Sequence, residues 1–182
     1  MRSLLLFILL IPAAVFAQFS DDFNDGEFSS NPAWSGNTSK FVVSAGQELQ
    51  LFEDPQAEGT SFLSTPSEAI YDASWEFLVK MQFNPSGTNY CDVYLVSNNS
   101  DLSATTNGYF VRLGNTADEV SLYRKDVSTS TMIIDGTNSR LNTSTVNVRV
   151  KVTRDFDGNW TLQSDTLGGT DYYVYKTVFV KK

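Results

Sequence analysis

The sequence predicts an all-β chain that folds as an antiparallel sandwich or barrel. Short runs of β-branched and aromatic residues recur along it, and Gly, Asn, Asp, Ser or Pro bounds each run. No segment longer than two turns shows the apolar period of a helix. Many strands at such close spacing are typical of two antiparallel layers or of a closed barrel.

The alternation of side chains assigns the faces of these strands. In the segment 74–83, the apolar residues Trp75, Phe77, Val79, Met81 and Phe83 fall on one side, and Glu76, Leu78, Lys80 and Gln82 fall on the other. One face is therefore packed and the other is at least half in contact with water. The full set of predicted strands is 39–44, 48–52, 60–65, 74–83, 90–98, 108–114, 119–125, 131–135, the hairpin 147–165, and 171–180.

The hairpin 147–165 has the clearest pattern in the chain. Three valines at positions 148, 150 and 152 alternate with polar residues, and Trp160 and Leu162 do the same after the segment "DFDGN" (155–159). Asp, Gly and Asn between two alternating runs predict a hairpin turn. We expect these residues to form a central antiparallel pair whose apolar face is covered by an opposing sheet.

The first 17 residues predict a secretory signal peptide. Arg2 precedes an unbroken apolar run over 4–11, Pro12 breaks the run, and small residues lie at 15 and 17. The alternative is a membrane anchor, for which the run is too short. Residues 18–182 then form one β-sandwich domain, which we expect to be soluble and either secreted or held at the cell surface.

The composition argues against an intrachain disulfide bond and against anionic binding partners. Cys91 is the only cysteine, so an intrachain disulfide is impossible. We expect Cys91 to be a small apolar core residue, with an intermolecular bridge as the alternative. The formal net charge of −8 disfavours binding to nucleic acid or to an anionic membrane, whereas a neutral glycan is compatible with it.

The sequence lacks the groups for most catalytic chemistry. It contains no histidine, which excludes Ser-His-Asp triads, Cys-His pairs and HExxH metal sites. Glycoside hydrolysis would need two carboxylates, and no glutamate of the mature chain lies with another acid at i+2 or i+4 spacing on a clear strand. Glu76 is expected to be a solvated strand residue rather than a catalytic acid. We therefore expect no catalytic residues, although a hydrolase is kept as an alternative.

The acidic segment "DDFNDG" (21–26) is a candidate calcium site. Asp22 and Asp25 would supply oxygen ligands, which calcium prefers, but the spacing of an EF-hand loop is missing. Asp and Asn followed by Gly are also the ordinary composition of a turn. The sequence favours the turn, and calcium stays open as a structural cofactor.

Aromatic residues supply the candidate ligand site. Tyr94 and Phe110 alternate with Asp92 and Arg112 along two neighbouring predicted strands. Aromatic faces stack on sugar rings, and flanking charged groups can bind hydroxyls. Tyr94, Phe110 and Arg112 are therefore candidate ligand-binding residues. The alternative, which the composition of sandwich cores favours, is that these rings are packed in the interior.

Several strings in a fixed order carry a resemblance. They are "FSDDFNDGEFSSNPAWSG", "LSTPS", "SWEFLVKMQFNPSGTNYCDVYLVS", "DLSATTNGYFVRLG" and "VRVKVTRDFDGNWTLQSD". Together they resemble the N-terminal module of large exported bacterial surface proteins, several of which carry a lamin-tail domain. The resemblance implies a two-sheet, concanavalin-like or laminin-G-like jelly roll with a role in carbohydrate binding or adhesion. It supplies no binding residues.

The chain departs from that family at its end. In the family, one or two closing strands and further domains usually follow, whereas nothing follows Lys182. We therefore expect a truncated copy that lacks its last strands, with an unpaired edge near 171–182 that invites association. Three functions stay open at this point: a non-catalytic binding or adhesion module, a glycan-cleaving enzyme on the same fold, and a structural spacer.

Overall fold

The computed structural model describes residues 20–52 and 58–180. The predicted signal peptide, residues 1–17, lies outside the described residues. Within them the structure forms strands and one short 3-10 turn at Thr38–Lys40. The strands are β1 (Ser35–Gly36), β2 (Phe41–Val43), β3 (Leu49–Leu51), β4 (Leu63–Ser64), β5 (Ala73–Met81), β6 (Cys91–Ser97), β7 (Gly108–Gly114), β8 (Glu119–Asp126), β9 (Thr129–Ile134), β10 (Val146–Arg154), β11 (Asn159–Asp165) and β12 (Tyr173–Phe179).

The predicted all-β antiparallel fold is confirmed. Sheet I has the order β12-β11-β10-β5, and sheet II is a meander of β6, β7, β8 and β9. Two small pairs, β1 with β4 and β2 with β3, complete the described strands. The jelly-roll topology itself stays a prediction. Among the described residues, none forms a helix with the length and apolar character needed to cross a membrane.

One hydrophobic core lies between the two sheets. It takes Val111, Leu113 and Leu122 from sheet II and Val148, Val150, Val152 and Leu162 from sheet I, all without solvent exposure. Burying a side chain of this size contributes roughly 1.5–3 kcal/mol to stability. The alternation predicted for β5 is confirmed, since the even-numbered residues from Ser74 to Lys80 are exposed and the odd-numbered ones face the core.

The central hairpin also forms as predicted. β10 pairs with β11 through Val150↔Ser164 and Val152↔Leu162, and these two strands are the inner strands of sheet I. The carboxylate of Asp155 accepts hydrogen bonds from the backbone N–H of Asn159 at 2.8 Å and from its side-chain amide at 2.7 Å. Gly158 adopts a φ of +94°, which L side chains rarely adopt.

The strand boundaries predicted from the sequence are wrong in the first third of the chain. Residues 60–65 were expected to form a strand, but only Leu63–Ser64 do so, and the predicted strand 39–44 begins with the 3-10 turn. The pair β1–β4 joins Ser35 to Ser64, and such a distant pairing leaves no local pattern. At the other end, β12 is an edge strand of sheet I, and residues 181–182 lie outside the described residues. The proposed truncation therefore stays a prediction.

We predict that the Cys91 thiol of the folded protein reacts very slowly with Ellman's reagent at mildly alkaline pH. Burial, reinforced by the charge of Asp92, raises the pKa of this thiol from its ordinary value of 9.0 to about 12. The reactive thiolate is then on the order of a thousandfold scarcer than for an ordinary thiol. The same side chain packs against the core, as predicted.

The control is the same protein in concentrated urea, where one thiol should react promptly. Because the folded pKa is raised, the stabilising contribution of the neutral thiol is fully present below the unfolded pKa and is lost as the pH rises through the folded pKa of about 12. Prompt, complete labelling in native buffer would contradict the packed position of Cys91.

Candidate functional site

The register of sheet II brings the predicted ligand residues together. Tyr94 on β6 lies opposite Phe110 on β7, which lies opposite Tyr123 on β8. The three rings stack, with centroids 5.0 Å apart for Tyr94 and Phe110 and 5.2 Å apart for Phe110 and Tyr123. We call these three residues the aromatic ladder. Phe110 and Arg112 alternate along β7 with the core residues Val111 and Leu113, so the ladder lies on the face of sheet II that points away from sheet I.

Arg112 is held in a closed arrangement beside the ladder. Its Nε and Nη2 donate to the two carboxylate oxygens of Asp92, each at 2.7 Å, which is the bidentate geometry of a strong pair. Its guanidinium lies 4.2 Å from the centre of the Tyr90 ring and 5.3 Å from those of Phe110 and Tyr123. The hydrogen bond to Asp92 raises the pKa of Arg112 above its usual range.

The exposed part of this site differs from the three residues that the sequence singled out. Phe110 is only 1% exposed, because Tyr94 and Tyr123 stack on its two sides. Arg112 and Asp92 bind each other, with side chains 19% and 23% exposed. Tyr94 is partly exposed and Tyr90 is 42% exposed, so these two rings form the accessible surface. Phe110 and Arg112 position that surface from below.

The tyrosine hydroxyls of the ladder stay protonated at neutral pH. Burial is the main cause that raises the pKa of Tyr94, and the Asp92 carboxylate adds to it. Burial likewise raises the pKa of Tyr123, which the sequence did not single out. Tyr123 could have been found from the predicted strands 108–114 and 119–125. If these strands form a hairpin that pairs Gly114 with Glu119, the register places Phe110 opposite Tyr123. A protonated phenol can both donate and accept a hydrogen bond.

The acidic opening segment forms local turns. Asp21 accepts hydrogen bonds from the Phe23 N–H at 2.9 Å and from the Trp34 indole at 2.8 Å. Asp22 accepts from the Asn24 N–H and Asp25 from the Glu27 N–H, each at 3.2 Å. No group of three or more His, Cys, Asp or Glu side chains in the described segments could hold a metal ion. The turn that the sequence favours is formed.

Glu76 is a surface residue of sheet I. Its side chain is 42% exposed, and its carboxylate lies 3.5 Å from the Arg149 guanidinium on the neighbouring strand. Across the register it lies opposite Lys151. Glu76 therefore lies in a surface ion pair, as expected for a solvated strand residue.

A concave feature apart from the aromatic ladder was not predicted from the sequence. An open groove of about 350 Å³ lies where β1, the residue before β4 and the loop between β6 and β7 meet. Its sequence signal was weak: the loop "NNSDLSATTN" (98–107) is rich in hydroxyl, amide and carboxylate groups, as many ordinary loops are. Its residues come from three distant parts of the chain, so no local motif marks it.

Comparison with protein-family models, with curated proteins and with solved structures found no match to this chain. The resemblance to the module of exported surface proteins therefore stays a prediction from the quoted residues.

We predict that calcium leaves the stability of residues 18–182 unchanged. The carboxylates of Asp22 and Asp25 already accept local hydrogen bonds, and a calcium site needs about six to eight oxygen ligands. The measurement is the melting temperature in millimolar calcium and in chelator. A rise of several degrees that Asp22→Ala and Asp25→Ala both remove would instead establish a structural calcium site.

We also predict that the protein releases no reducing sugar from common polysaccharides above background. Glycoside hydrolysis needs a pair of neighbouring carboxyl groups, and Glu76 lies beside Arg149 and Lys151 instead. Release should be the same for the unaltered chain and for Glu76→Gln. Clear release that Glu76→Gln abolishes would show that the chain is an enzyme.

Proposed function

We propose that this chain is an exported, non-catalytic β-sandwich module that binds carbohydrate or mediates surface adhesion. The observation that carries the proposal is the pair of accessible tyrosine rings, Tyr90 and Tyr94, fixed on the outer face of sheet II. The predicted signal peptide supports export, and the net charge of −8 favours an uncharged ligand over an anionic one.

Neighbouring groups hold both tyrosine rings in place, which supports the proposal. One side of Tyr90 is held by the Arg112 guanidinium, and the ring still keeps a large exposed area. The ring of Tyr94 stacks on the ring of Phe110, which restricts the rotation of the Tyr94 ring. A ring that is already immobilised loses little conformational entropy when a ligand binds, so more of the stacking energy contributes to affinity.

The Arg112–Asp92 pair supports this arrangement. Two charge-assisted hydrogen bonds fix the guanidinium in the plane that contacts Tyr90. The pair lies on the paired strands β6 and β7 rather than on a loop, and sites built on strands hold their geometry more closely. The rings of Tyr90 and Tyr94 on sheet II are therefore held rigidly, and we call these two residues the tyrosine platform.

We predict that the mature protein, residues 18–182, binds neutral glycans on an array and that Tyr90→Ala and Tyr94→Ala weaken this binding roughly tenfold each, as expected for the loss of one stacking contact. The array is read with and without calcium, since calcium dependence is a separate question. Phe156→Ala is the matched control, because Phe156 is an aromatic residue with 81% exposure in the hairpin turn of sheet I.

Two outcomes would contradict the proposal. If no glycan binds, the chain is better explained as a structural spacer. If glycans bind but Phe156→Ala weakens binding as much as the two tyrosine variants, the platform on sheet II is not the contact surface.

A further inference from the structure

The open groove contains a set of groups that differs from the tyrosine platform. Five polar residues and one aromatic residue line the same concave space of about 350 Å³. The lining residues with side chains are Ser35, Asn37, Phe62, Ser100, Asp101 and Ser103. Sites for small ligands start at about this volume, which suits one or two sugar rings.

Backbone contacts hold the walls of the groove together. Phe62 exchanges hydrogen bonds with Asn37, whose N–H donates to the Phe62 carbonyl at 2.9 Å and whose Oδ1 accepts the Phe62 N–H at 3.0 Å. The Ser64 hydroxyl donates to the Ser100 carbonyl at 2.8 Å, which ties β4 to the loop 98–107. The groove therefore lies between three segments of the chain that hydrogen bonds connect, rather than beside a single loop.

Gly36 allows the aromatic wall to approach. A β-carbon at this position would lie 2.5 Å from the Phe62 carbonyl oxygen and 2.9 Å from the Phe62 ring, both closer than real contacts. Its φ of +129° is also a conformation that other residues rarely adopt. Glycine at position 36 thus permits the Phe62 ring to lie directly against β1.

The polar groups of the groove are only partly engaged. The Oδ1 of Asp101 accepts the Ser103 N–H at 3.0 Å and the Ser103 hydroxyl at 2.6 Å, which orients the carboxylate. These bonds, the side-chain bond first, lower the pKa of Asp101, so the group is ionised at neutral pH. Asn37 uses its Oδ1 on Phe62, and its Nδ2 is not engaged in that bond. Within residues 20–52 and 58–180, neither Asp101 Oδ2 nor Asn37 Nδ2 has a hydrogen-bond partner, so one acceptor and one donor remain for a ligand.

We propose that this groove is a binding site for a neutral saccharide, with Asp101 Oδ2 accepting from a ligand hydroxyl, Asn37 Nδ2 donating to another, and the Phe62 ring contacting the C–H face of the sugar. The ligand class rests on the proposed carbohydrate-binding function, but the site is separate from the tyrosines of sheet II. Sugars with a carboxylate are excluded, because no Lys or Arg is among the described residues lining the groove and Asp101 would repel a second negative charge.

The test uses nuclear magnetic resonance of isotope-labelled protein, residues 18–182, titrated with methyl glycosides. The probes are the methyl glycosides of glucose, galactose and mannose, with methyl glucuronide as the acidic comparison. We expect at least one neutral glycoside to shift the backbone amides of Gly36, Phe62 and Asp101. We expect methyl glucuronide to bind at least roughly tenfold more weakly.

Asp101→Asn is the decisive variant, and Asp157→Asn is its matched control in the exposed hairpin turn of sheet I. The amide oxygen of the variant can still accept the Ser103 bonds, so the loop should keep its shape. We expect Asp101→Asn to weaken binding of the neutral glycoside roughly tenfold, the size of a lost charge-assisted hydrogen bond. Asp157→Asn should leave the affinity unchanged.

The failures of the two proposals can be told apart. Shifts confined to Tyr90, Tyr94 and their neighbours would overturn the groove site and leave the tyrosine platform standing. Equal or tighter binding of methyl glucuronide at the groove would overturn the neutral ligand class. A neutral glycoside that binds Asp101→Asn as well as the unaltered protein would overturn the role of the carboxylate. The absence of any shift with every glycoside would overturn the groove site alone if the array still shows binding that Tyr90→Ala weakens, and both proposals if the array shows no binding either.

Discussion

The stack of three large rings between the sheets is the interaction on which the structure depends most. Trp160 of β11 is fully buried, with its ring 5.6 Å from that of Trp75 on β5 and 4.4 Å from that of Tyr109 on β7. It therefore joins the second and fourth strands of sheet I to the middle of sheet II. Aromatic stacking adds about 0.5–1.5 kcal/mol per pair to the burial of large apolar area. The facing sheets are fixed relative to each other at this point, and the same strand β7 carries Phe110 and Arg112 on its opposite face.

The two faces of β7 link core packing to the candidate site. Tyr109, Val111 and Leu113 point into the core, so Phe110 and Arg112 between them must point outward. A shift of one residue in register would exchange the two sets, burying a guanidinium in the core and exposing valine and leucine. The pairing that the core enforces is thus also the pairing that places Asp92 opposite Arg112 and Tyr94 opposite Phe110.

Sequence reasoning was accurate where one face of a strand is buried and weak where structure depends on distant contacts. The alternation in β5, β10 and β11 predicted both the strands and their inward faces, because burial on one side imposes a period of two. The predicted ligand residues do lie together. No sequence pattern shows, however, that both carboxylate oxygens of Asp92 accept hydrogen bonds from Arg112, or that neighbouring tyrosine rings cover Phe110. The groove was missed because Asn37, Phe62 and Asp101 meet only through the β1–β4 pairing and the Ser64–Ser100 contact.

The carboxylates of the described residues have two kinds of neighbours. In the described part of the chain, several carboxylates lie against cations: Asp92 with Arg112, Glu48 with Lys80, Glu76 with Arg149 and Asp126 with Arg124. Surface ion pairs add little stability, typically about 0–1 kcal/mol, whereas the half-buried pair of Asp92 and Arg112 is fixed by two hydrogen bonds. Asp101 differs, since the hydroxyl and the backbone N–H of Ser103 orient its carboxylate and it forms no ion pair with a cation among the described residues. An ionised carboxylate with one oxygen still unoccupied can bind a hydroxyl group reversibly, and such recognition requires neither a second acid nor a histidine.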